Sequence, residues 1–333
     1  MRVLVTGADG MLGSNLVRIL LERGHVVSVL VHPASVSATL SGLDIKIFNG
    51  DLLTPATLEA AFLDQEVVVH AAASTSVWPS RSLKVRRINI EGTDNIIDAA
   101  LKHRVKRMIY VGSGSSVNAP GNEGSKYKFP GARYGLDYID SKFEALNRVL
   151  DAVQNRGLPA LAVLPTYMIG PYDSLPGSGK MILALAEGKL KFYTRGGRNF
   201  IHVRDVATAI ANGMEMGRIG SWYIAGNENL TYREFFGRVA RIVSRKEPGI
   251  CIPNWAVKTF GRAGSIFGTI FRKPPLLSYP MACISCDLQF VSSDKAVEEL
   301  KMPQTSMDAA IRECYQWFLE HGYVKNGVQT GEQ

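Results

Sequence analysis

The stretch Thr6-Gly7-Ala8-Asp9-Gly10-Met11-Leu12-Gly13 constrains the fold of this chain more than any other. It joins the apolar run RVLVT to the amphipathic run MLGSNLVRILLERG, so it is predicted to connect a first strand to a first helix. Glycines at such a junction let the turn close, let the backbone approach a pyrophosphate and let the helix pack on the strand. The start of the helix adds free N–H groups and the positive end of its dipole. We therefore predict a dinucleotide-binding turn whose cofactor contacts are Gly7, Gly10, Met11, Leu12 and Gly13.

The rest of the first half alternates in the same way. Strand-like runs are VVSVLV, DIKIFNGDL, EVVVHAAA, RMIYVGSGSS and PALAVLPT, and helical runs separate most of them. This order predicts an α/β fold, a Rossmann-type doubly wound parallel sheet. Residues 1–166 are predicted to form the dinucleotide-binding domain, to which 200–225 return. Residues 167–199 and 226–333 are predicted to form a smaller, largely C-terminal substrate-binding region.

Composition excludes several other classes of protein. The 333 residues are 46% hydrophobic and 20% charged, which is typical of a globular chain. The net charge of +8 favours anionic ligands, but the basic residues are scattered, so nucleic-acid binding is not expected. The chain opens directly into a strand and has no run of about 18 apolar residues, which predicts a cytoplasmic protein without signal or membrane span.

The four cysteines are Cys251, Cys283, Cys286 and Cys314. A zinc site would need a second close pair beside the CxxC at 283–286, and the other two cysteines are isolated. We therefore expect no metal site and no disulfide framework.

The second strand indicates which dinucleotide is bound. Its end is normally a carboxylate that accepts hydrogen bonds from the adenosine ribose. Here the strand ends at His32, so no acidic side chain would repel a 2′-phosphate, and Ser35 and Ser37 follow nearby. The sequence favours NADP(H) over NAD(H), with His32 as a cofactor contact.

Further motifs follow in order along the chain. They are Gly50-Asp51-Leu52, His70-Ala71-Ala72-Ala73, Asn89-Ile90-Glu91-Gly92-Thr93, YVGSGSSV, Tyr138 with Lys142 in YxxxK spacing, LPTYMIGP and RNFIHVRDVA. With TGADGMLG, they resemble the extended short-chain dehydrogenase/reductase family over roughly residues 1–225. Within it the sequence is most similar to the branch of dihydroflavonol-4-reductase, 3β-hydroxysteroid dehydrogenase and NAD-dependent epimerases.

The resemblance implies a role for each matched position. It assigns further cofactor contacts to Asp51, Leu52, Ala71, Ala72, Ala73, Lys142, Pro165 and Thr166. It assigns catalysis to Ser113, Tyr138, Lys142 and Asn89, the last by orienting Lys142 through water. It places Ser115, Tyr134, Tyr167 and Met168 beside the substrate, with Ser115 as the alternative to Ser113.

These residue types suit hydride-transfer chemistry between a ketone and a secondary alcohol. A nicotinamide supplies hydride and Tyr138 would supply the proton, although a free phenol titrates near pH ~10. Lys142 lies one helical turn on, and its charge is expected to lower that pKa. Ser113 would hydrogen-bond the substrate oxygen from the end of the fifth strand.

Three interpretations of function remain open from the sequence. The favoured one is an NAD(P)-dependent oxidoreductase acting on a small, hydrophobic ketone or alcohol. A nucleotide-sugar 4-epimerase or reductase is the alternative, since Arg198 stands where that branch binds a diphosphate, but no second arginine precedes SSDKA. A non-catalytic NADP-binding sensor would usually have lost the tyrosine or the lysine, and both are present.

An apolar stretch in the last third bears on the substrate. It contains Trp255, Phe260, Ile266, Phe267, Ile270, Phe271, Leu276, Leu277, Tyr279 and Met281. We expect these side chains to be core or to line an apolar pocket. Because Lys258, Arg262, Arg272 and Lys273 lie among them, contact with a membrane surface is the less favoured interpretation.

Two smaller expectations complete the analysis. LPGSGK, at 175–180, is similar to a phosphate-binding loop but lacks the spacer and the hydroxyl residue after the lysine, so we interpret it as a substrate-side loop. Helices near 83–103 and 136–155 would pair across a two-fold in a homodimer, as in relatives of the resembled family.

Overall fold

The computed structural model describes residues 1–35, 37–117 and 130–324. The strands are β1 (Arg2–Thr6), β2 (Val26–Val31), β3 (Lys46–Asn49), β4 (Val67–His70), β5 (Arg107–Val111), β6 (Ala160–Pro165), β7 (Tyr167–Ile169), β8 (Phe192–Tyr193), β9 (Gly197–His202), β10 (Trp222–Ala225), β11 (Glu228–Thr231), β12 (Ile250–Cys251) and β13 (Leu288–Gln289). The helices are α1 (Met11–Glu22), α2 (Glu59–Phe62), α3 (Leu83–Lys102), α4 (Asp137–Arg156), α5 (Lys180–Ala186), α6 (Val203–Gly213), α7 (Tyr232–Ile242), α8 (Asn254–Phe271), α9 (Tyr279–Cys286), α10 (Asp294–Glu299) and α11 (Met307–Glu320).

The central sheet has seven parallel strands in the order β10-β6-β5-β4-β1-β2-β3. The chain runs outward from β1 to β3 and then returns to β4 on the other side of β1. Ligands in doubly wound sheets bind at this switch point, outside the carboxyl ends of the strands. The predicted fold class is confirmed, and the glycine-rich turn after β1 lies at the switch point.

Helices cover both faces of the sheet, so its strands are apolar on both sides. Val3 and Val5 point into one core, which α1 and α6 cover, while Leu4 and Val68 point into the other, which α3 and α4 cover. The turn after β1 and the start of α4 are therefore anchored by two independent cores.

The remaining elements form a second, smaller assembly. Strands β7, β9, β11 and β13 make a mixed sheet, in which β11 is antiparallel to β9. Helices α5, α7 and α11 pack a third core around Phe200, Phe235 and Phe318. The predicted domain boundary at residue 166 stays a prediction, because β7 follows β6 after a single residue.

The apolar stretch of the last third corrects an expectation. Residues 254–271 form one long helix, α8, and most of its large apolar side chains are exposed rather than core or pocket wall. The reason is that glycines occupy the face of α8 that packs on the protein. In the described part of the chain, no helix combines the length and the apolar character needed to span a bilayer.

Candidate active site

A cleft of about 1610 Å³ opens at the carboxyl ends of β1, β4 and β5. Every site residue predicted from the sequence lines this cleft except Asn89, which is buried behind it. A single concave site with convergent polar groups is the usual form of a small-molecule site. The tertiary fold thus brings together residues that are spread over 160 positions of the sequence.

The glycine-rich turn is packed too closely for side chains at two positions. Gly7 has φ +70°, and a Cβ there would lie 2.6 Å from the backbone nitrogen of Ala72. A Cβ on Gly13 would lie 2.1 Å from the carbonyl oxygen of Gly7. Gly10 caps α1 without a side-chain hydrogen bond, so the first N–H groups of the helix remain available to an anion. The turn therefore fits the pyrophosphate of a dinucleotide.

His32 and Asp51 lie together at the far end of the cleft. The backbone N–H of Ala34 donates to His32 Nδ1 at 3.1 Å, which leaves the proton of the neutral ring on Nε2. That Nε2 lies 3.9 Å from the Asp51 carboxylate, and both side chains are substantially exposed. The Asp51 carboxylate also accepts from the backbone N–H of Leu53, at 2.9 Å. Both groups are oriented and accessible to an adenosine end.

A buried chain of hydrogen bonds runs under the cleft from β1 to α3. The N–H of Ala72 donates to Thr6 Oγ1, which lies 2.9 Å from His70 Nδ1. His70 Nε2 lies 3.2 Å from Thr93 Oγ1, and that hydroxyl donates to the carbonyl of Asn89 at 2.7 Å. Because each donor meets one acceptor, His70 is neutral with its proton on Nε2. Burial, together with the charge of Lys142, lowers the pKa of His70 to about 3.

Both polar atoms of the Asn89 side-chain amide are hydrogen-bonded to neighbouring residues. Its Oδ1 accepts from the N–H of Ser74 at 2.7 Å, and its Nδ2 donates to the carbonyl of Ser74 and to Ser141 Oγ at 3.0 and 2.9 Å. Ser141 in turn donates to the carbonyl of Tyr138. Asn89 thus fixes the segment after β4 to the first turns of α4. Among the described residues no hydrogen bond joins the side chains of Asn89 and Lys142, and the orientation of Lys142 by Asn89 through water stays a prediction.

Ser113 and Tyr138 meet inside the cleft. Ser113 follows β5, and its Oγ accepts from the N–H of Ser115 at 3.3 Å, so its hydroxyl proton can be donated elsewhere. Burial raises the pKa of the Tyr138 phenol, while a hydrogen bond from Ser113 and the positive charge of Arg198 lower it. Both hydroxyl groups lie in the same cleft, as polarisation and protonation of a carbonyl require.

Lys142 lies one turn after Tyr138 on the same face of α4. Its ammonium donates to the carbonyl of Val111 at 2.7 Å and lies 4.7 Å from the centroid of the Tyr110 ring. Burial lowers the pKa of Lys142 to about 7. The sequence predicts that this lysine lowers the pKa of Tyr138. In the structure burial raises the pKa of Tyr138, and the cation that opposes this rise is Arg198.

Arg198 is the cleft residue whose surroundings the sequence did not indicate. Its guanidinium lies 4.8 Å from the centroid of the Tyr167 ring, and its Nε donates to the Tyr232 hydroxyl at 2.8 Å. Among the described residues, no carboxylate lies within ion-pair distance of it. The cleft therefore holds a cation bordered by phenols, and its remaining N–H groups can receive an acceptor from a ligand.

A second group of polar contacts closes the substrate side. The Tyr134 hydroxyl donates to the Asp287 carboxylate at 2.6 Å, and Arg133 binds the same carboxylate at 2.8 Å. Gln289 of β13 reaches the Tyr134 hydroxyl at 3.4 Å. These contacts tie the segment before α4 to the chain after α9. The sequence carried no signal for Asp287 or Gln289, which lie about 150 residues from Tyr134.

The LPGSGK loop lines the cleft but is not arranged to bind phosphate. The buried Asp173 carboxylate accepts from the backbone N–H groups of Gly177 and Gly179, at 2.9 Å each. These N–H groups are donors that a phosphate would need, so they are not free to bind one, and the interpretation as a substrate-side loop stays a prediction. Among the described residues there is no group of metal-ligating side chains, and the four cysteines are free.

The fold and the cleft define a dinucleotide-dependent α/β enzyme. Comparison with known proteins places the chain more closely, because residues 3–226 match the model of the NAD dependent epimerase/dehydratase family. The chain belongs to this family, and it is an NAD(P)-dependent oxidoreductase. The resemblance to extended short-chain dehydrogenases/reductases is thereby confirmed.

Individual relatives align over nearly the whole chain. A Synechocystis sp. protein named putative dihydroflavonol 4-reductase is 32% identical, with 96% of this chain and 95% of the relative covered. Sterol demethylase protein B of Methylococcus capsulatus is 28% identical, with 97% and 100% covered. The crystal structure of gox2253 superposes with a TM-score of 0.85 at 32% identity, covering 97% of this chain and 99% of that one.

Proposed function

We propose that this protein interconverts a ketone and a secondary alcohol on a small hydrophobic substrate, with NADP(H) as the cofactor. The observation that carries the proposal is that Ser113 and Tyr138 line the same cleft as the phosphate-binding turn. A bound nicotinamide would supply or accept the hydride.

The protein's own residues have separate tasks in this chemistry. Ser113 donates a hydrogen bond to the carbonyl oxygen of the substrate and polarises it. Tyr138 donates its proton to the same oxygen as negative charge develops there. The positive charge of Arg198 stabilises the phenolate that remains, since it opposes the rise in the pKa of Tyr138 that burial causes. Lys142 would give up its hydrogen bond to the carbonyl of Val111 and donate to the nicotinamide ribose instead.

The preference for NADP(H) rests on the end of β2. Position 32 carries an exposed imidazole and no carboxylate, so a 2′-phosphate would meet a neutral or cationic group.

The hydrophobic substrate is supported by the cleft lining and by one relative. Leu276, Leu277, Met281 and Ile284 line the substrate side. The relative from Methylococcus capsulatus is named for sterol demethylation, and a sterol is an apolar secondary alcohol.

A nucleotide-sugar substrate is the second candidate, and Arg198 is the observation that favours it. A guanidinium without a carboxylate partner suits a diphosphate. Against it, no arginine occurs in residues 283–296, CISCDLQFVSSDKA, where the second arginine of that branch would lie.

The Tyr138→Phe variant tests the proposal. Turnover of NADPH with hydrophobic ketones should fall by roughly a thousandfold or more, whereas NADPH affinity should stay within about threefold. Tyr134→Phe is the matched control, because its phenol lines the same cleft but hydrogen-bonds Asp287. Full activity of Tyr138→Phe would refute the mechanism, and turnover of UDP-sugars but not of ketones would favour the second candidate.

A further inference from the structure

Helix α8 exposes an apolar face that the proposed chemistry does not use. We call it the α8 face, and its side chains, each more than half exposed, are Trp255, Phe260, Ile266, Phe267, Ile270 and Phe271. At about 100° per residue these six positions fall within an arc of about 160° on the helix. Leu276, in the turn after α8, is 93% exposed. A contiguous apolar surface of this kind marks an interaction site.

The opposite face of α8 shows why these side chains cannot turn inward. A Cβ on Gly261 would lie 2.5 Å from the Cβ of Ala282, and one on Gly264 would lie 2.3 Å from the carbonyl oxygen of Leu277. The helix thus lies against α9 through small residues, leaving no room for a large side chain on that side. The packing of α8 therefore keeps its large apolar side chains on the solvent side of the helix.

The charged side chains of the segment that carries the α8 face have one sign. Lys258 and Arg262 flank it along the helix, and Arg272 and Lys273 follow its end. No Asp or Glu occurs between Pro248 and Cys286. An apolar helix face with Trp and Phe, bordered by basic residues, has the pattern of helices that lie in the interface of a bilayer. The basic border complements the negative surface of anionic lipids.

A second copy of this chain would fit the α8 face poorly. A two-fold contact through α8 would bring the four basic residues of one copy near those of the other, and the segment has no carboxylate to pair with them. Like charges placed together at an interface oppose association.

We propose that the α8 face binds the surface of an anionic lipid bilayer. The helix lies in the plane of the interface, with its aromatic residues among the acyl chains and Lys258, Arg262, Arg272 and Lys273 at the lipid phosphates.

The position of α8 relative to the cleft gives this contact a consequence, which rests on the proposed function. A Cβ on Gly268 would lie 2.7 Å from the Trp78 ring and 3.0 Å from Pro275, and both of these residues line the cleft. The exposed Leu276 lines the cleft as well. Helix α8 therefore packs on the wall of the cleft, and Leu276 joins the turn after it to the cleft, so a bilayer at the α8 face would lie beside the cleft that takes up a lipid-soluble ketone or alcohol.

Flotation of the full chain with vesicles tests the proposal. The protein should float with vesicles of equal parts phosphatidylcholine and phosphatidylglycerol, and roughly tenfold less with phosphatidylcholine alone or at high salt. Phe267→Ser with Phe271→Ser should reduce binding to anionic vesicles by roughly tenfold or more. Lys258→Glu with Lys273→Glu should reduce it similarly.

Matched controls separate the α8 face from general surface properties. Leu63→Ser with Leu83→Ser removes two exposed leucines elsewhere, and Lys191→Glu with Arg233→Glu makes the same change in net charge. Both should float like the unaltered chain. Unchanged flotation of the α8 variants would overturn the proposal. So would no flotation at all, or a dimer that Phe267→Ser with Phe271→Ser dissociates.

The test is independent of the reaction. Vesicle binding is measured without substrate, so it can succeed even if no ketone is turned over. If bilayer binding and the proposed reaction both hold, the α8 variants should keep their turnover of a water-soluble ketone and lose turnover of a ketone dissolved in the vesicles.

Discussion

The ammonium of Lys142 donates a hydrogen bond to the carbonyl oxygen of Val111, at 2.7 Å. This contact joins the helix that carries Tyr138 to the strand that precedes Ser113. It occurs in a buried environment that lowers the pKa of Lys142 to about 7, so the lysine is near its titration point at neutral pH. Its charge state then depends on what the cleft contains.

We expect NADPH affinity to fall as the pH rises above 7. Hydrogen bonds to the ribose favour the protonated lysine, so binding should raise its pKa and take up a proton. Below pH 7 Lys142 is protonated in both the free and the NADPH-bound protein, so the Kd does not change with pH. Above it the Kd should rise by up to about tenfold per pH unit, until the pKa of the bound state is reached. Fluorescence titration between pH 6 and 9 measures this slope.

Lys142→Met should abolish the pH dependence, and Lys180→Met should retain it, since Lys180 lines the same cleft but is not part of α4. An equal slope in both variants would show that another group titrates.

We expect His32→Asp to reverse the cofactor preference. The new carboxylate would repel a 2′-phosphate and accept hydrogen bonds from the ribose of NADH. NADPH affinity should fall by roughly tenfold or more, and NADH affinity should stay the same or improve. Titration with both cofactors measures the change, and unchanged NADPH affinity would place the 2′-phosphate away from position 32.

We expect Asn89→Ala to destabilise the protein by about 2 kcal/mol, because it leaves the partly buried N–H and C=O of Ser74 without partners. Ser141→Ala removes one of these hydrogen bonds and should cost about 1 kcal/mol. Ser76→Ala, at an exposed position, should change little. Urea unfolding gives the three free energies. A cost for Asn89→Ala no larger than that for Ser141→Ala would contradict the role of Asn89 as a buried anchor.

We expect His70 to make stability depend on pH below neutrality. Its folded pKa of about 3 lies below the ordinary value of 6.5, so the unfolded chain binds the extra proton between these values. The stabilisation is complete above pH 6.5 and is lost as the pH falls towards 3, at about 1.4 kcal/mol per pH unit. His70→Asn should therefore lower the slope of unfolding free energy against pH in this window. His103→Asn, at a partly exposed position beside Glu59, should leave most of the slope. Equal slopes for His70→Asn and the unaltered chain would refute the assignment.

Much of the fold could be predicted from local patterns. The run RVLVT before the glycine-rich turn, and the recurring apolar strands after it, fit a doubly wound parallel sheet and little else. The pair Tyr138 and Lys142 was identified through its order among other motifs, and the structure places both in the cleft. The short strands β7, β8 and β11 to β13 were missed, because two to four residues leave no periodic pattern.

The sequence by itself determined the sheet and predicted the glycine-rich turn and the candidate reacting side chains, since these depend on periodicity, on glycine spacing and on residue type. Only the tertiary structure decided the charges and hydrogen-bond partners that surround these side chains. Arg198 acts on Tyr138, Lys142 is held at Val111, and Asp173 occupies the N–H groups of its own loop. It also decided which side of α8 faces outward, because Gly261 and Gly264 must meet Ala282 and Leu277 there. Such contacts join residues far apart in the chain, and the distances between them follow from how the helices pack on the sheet.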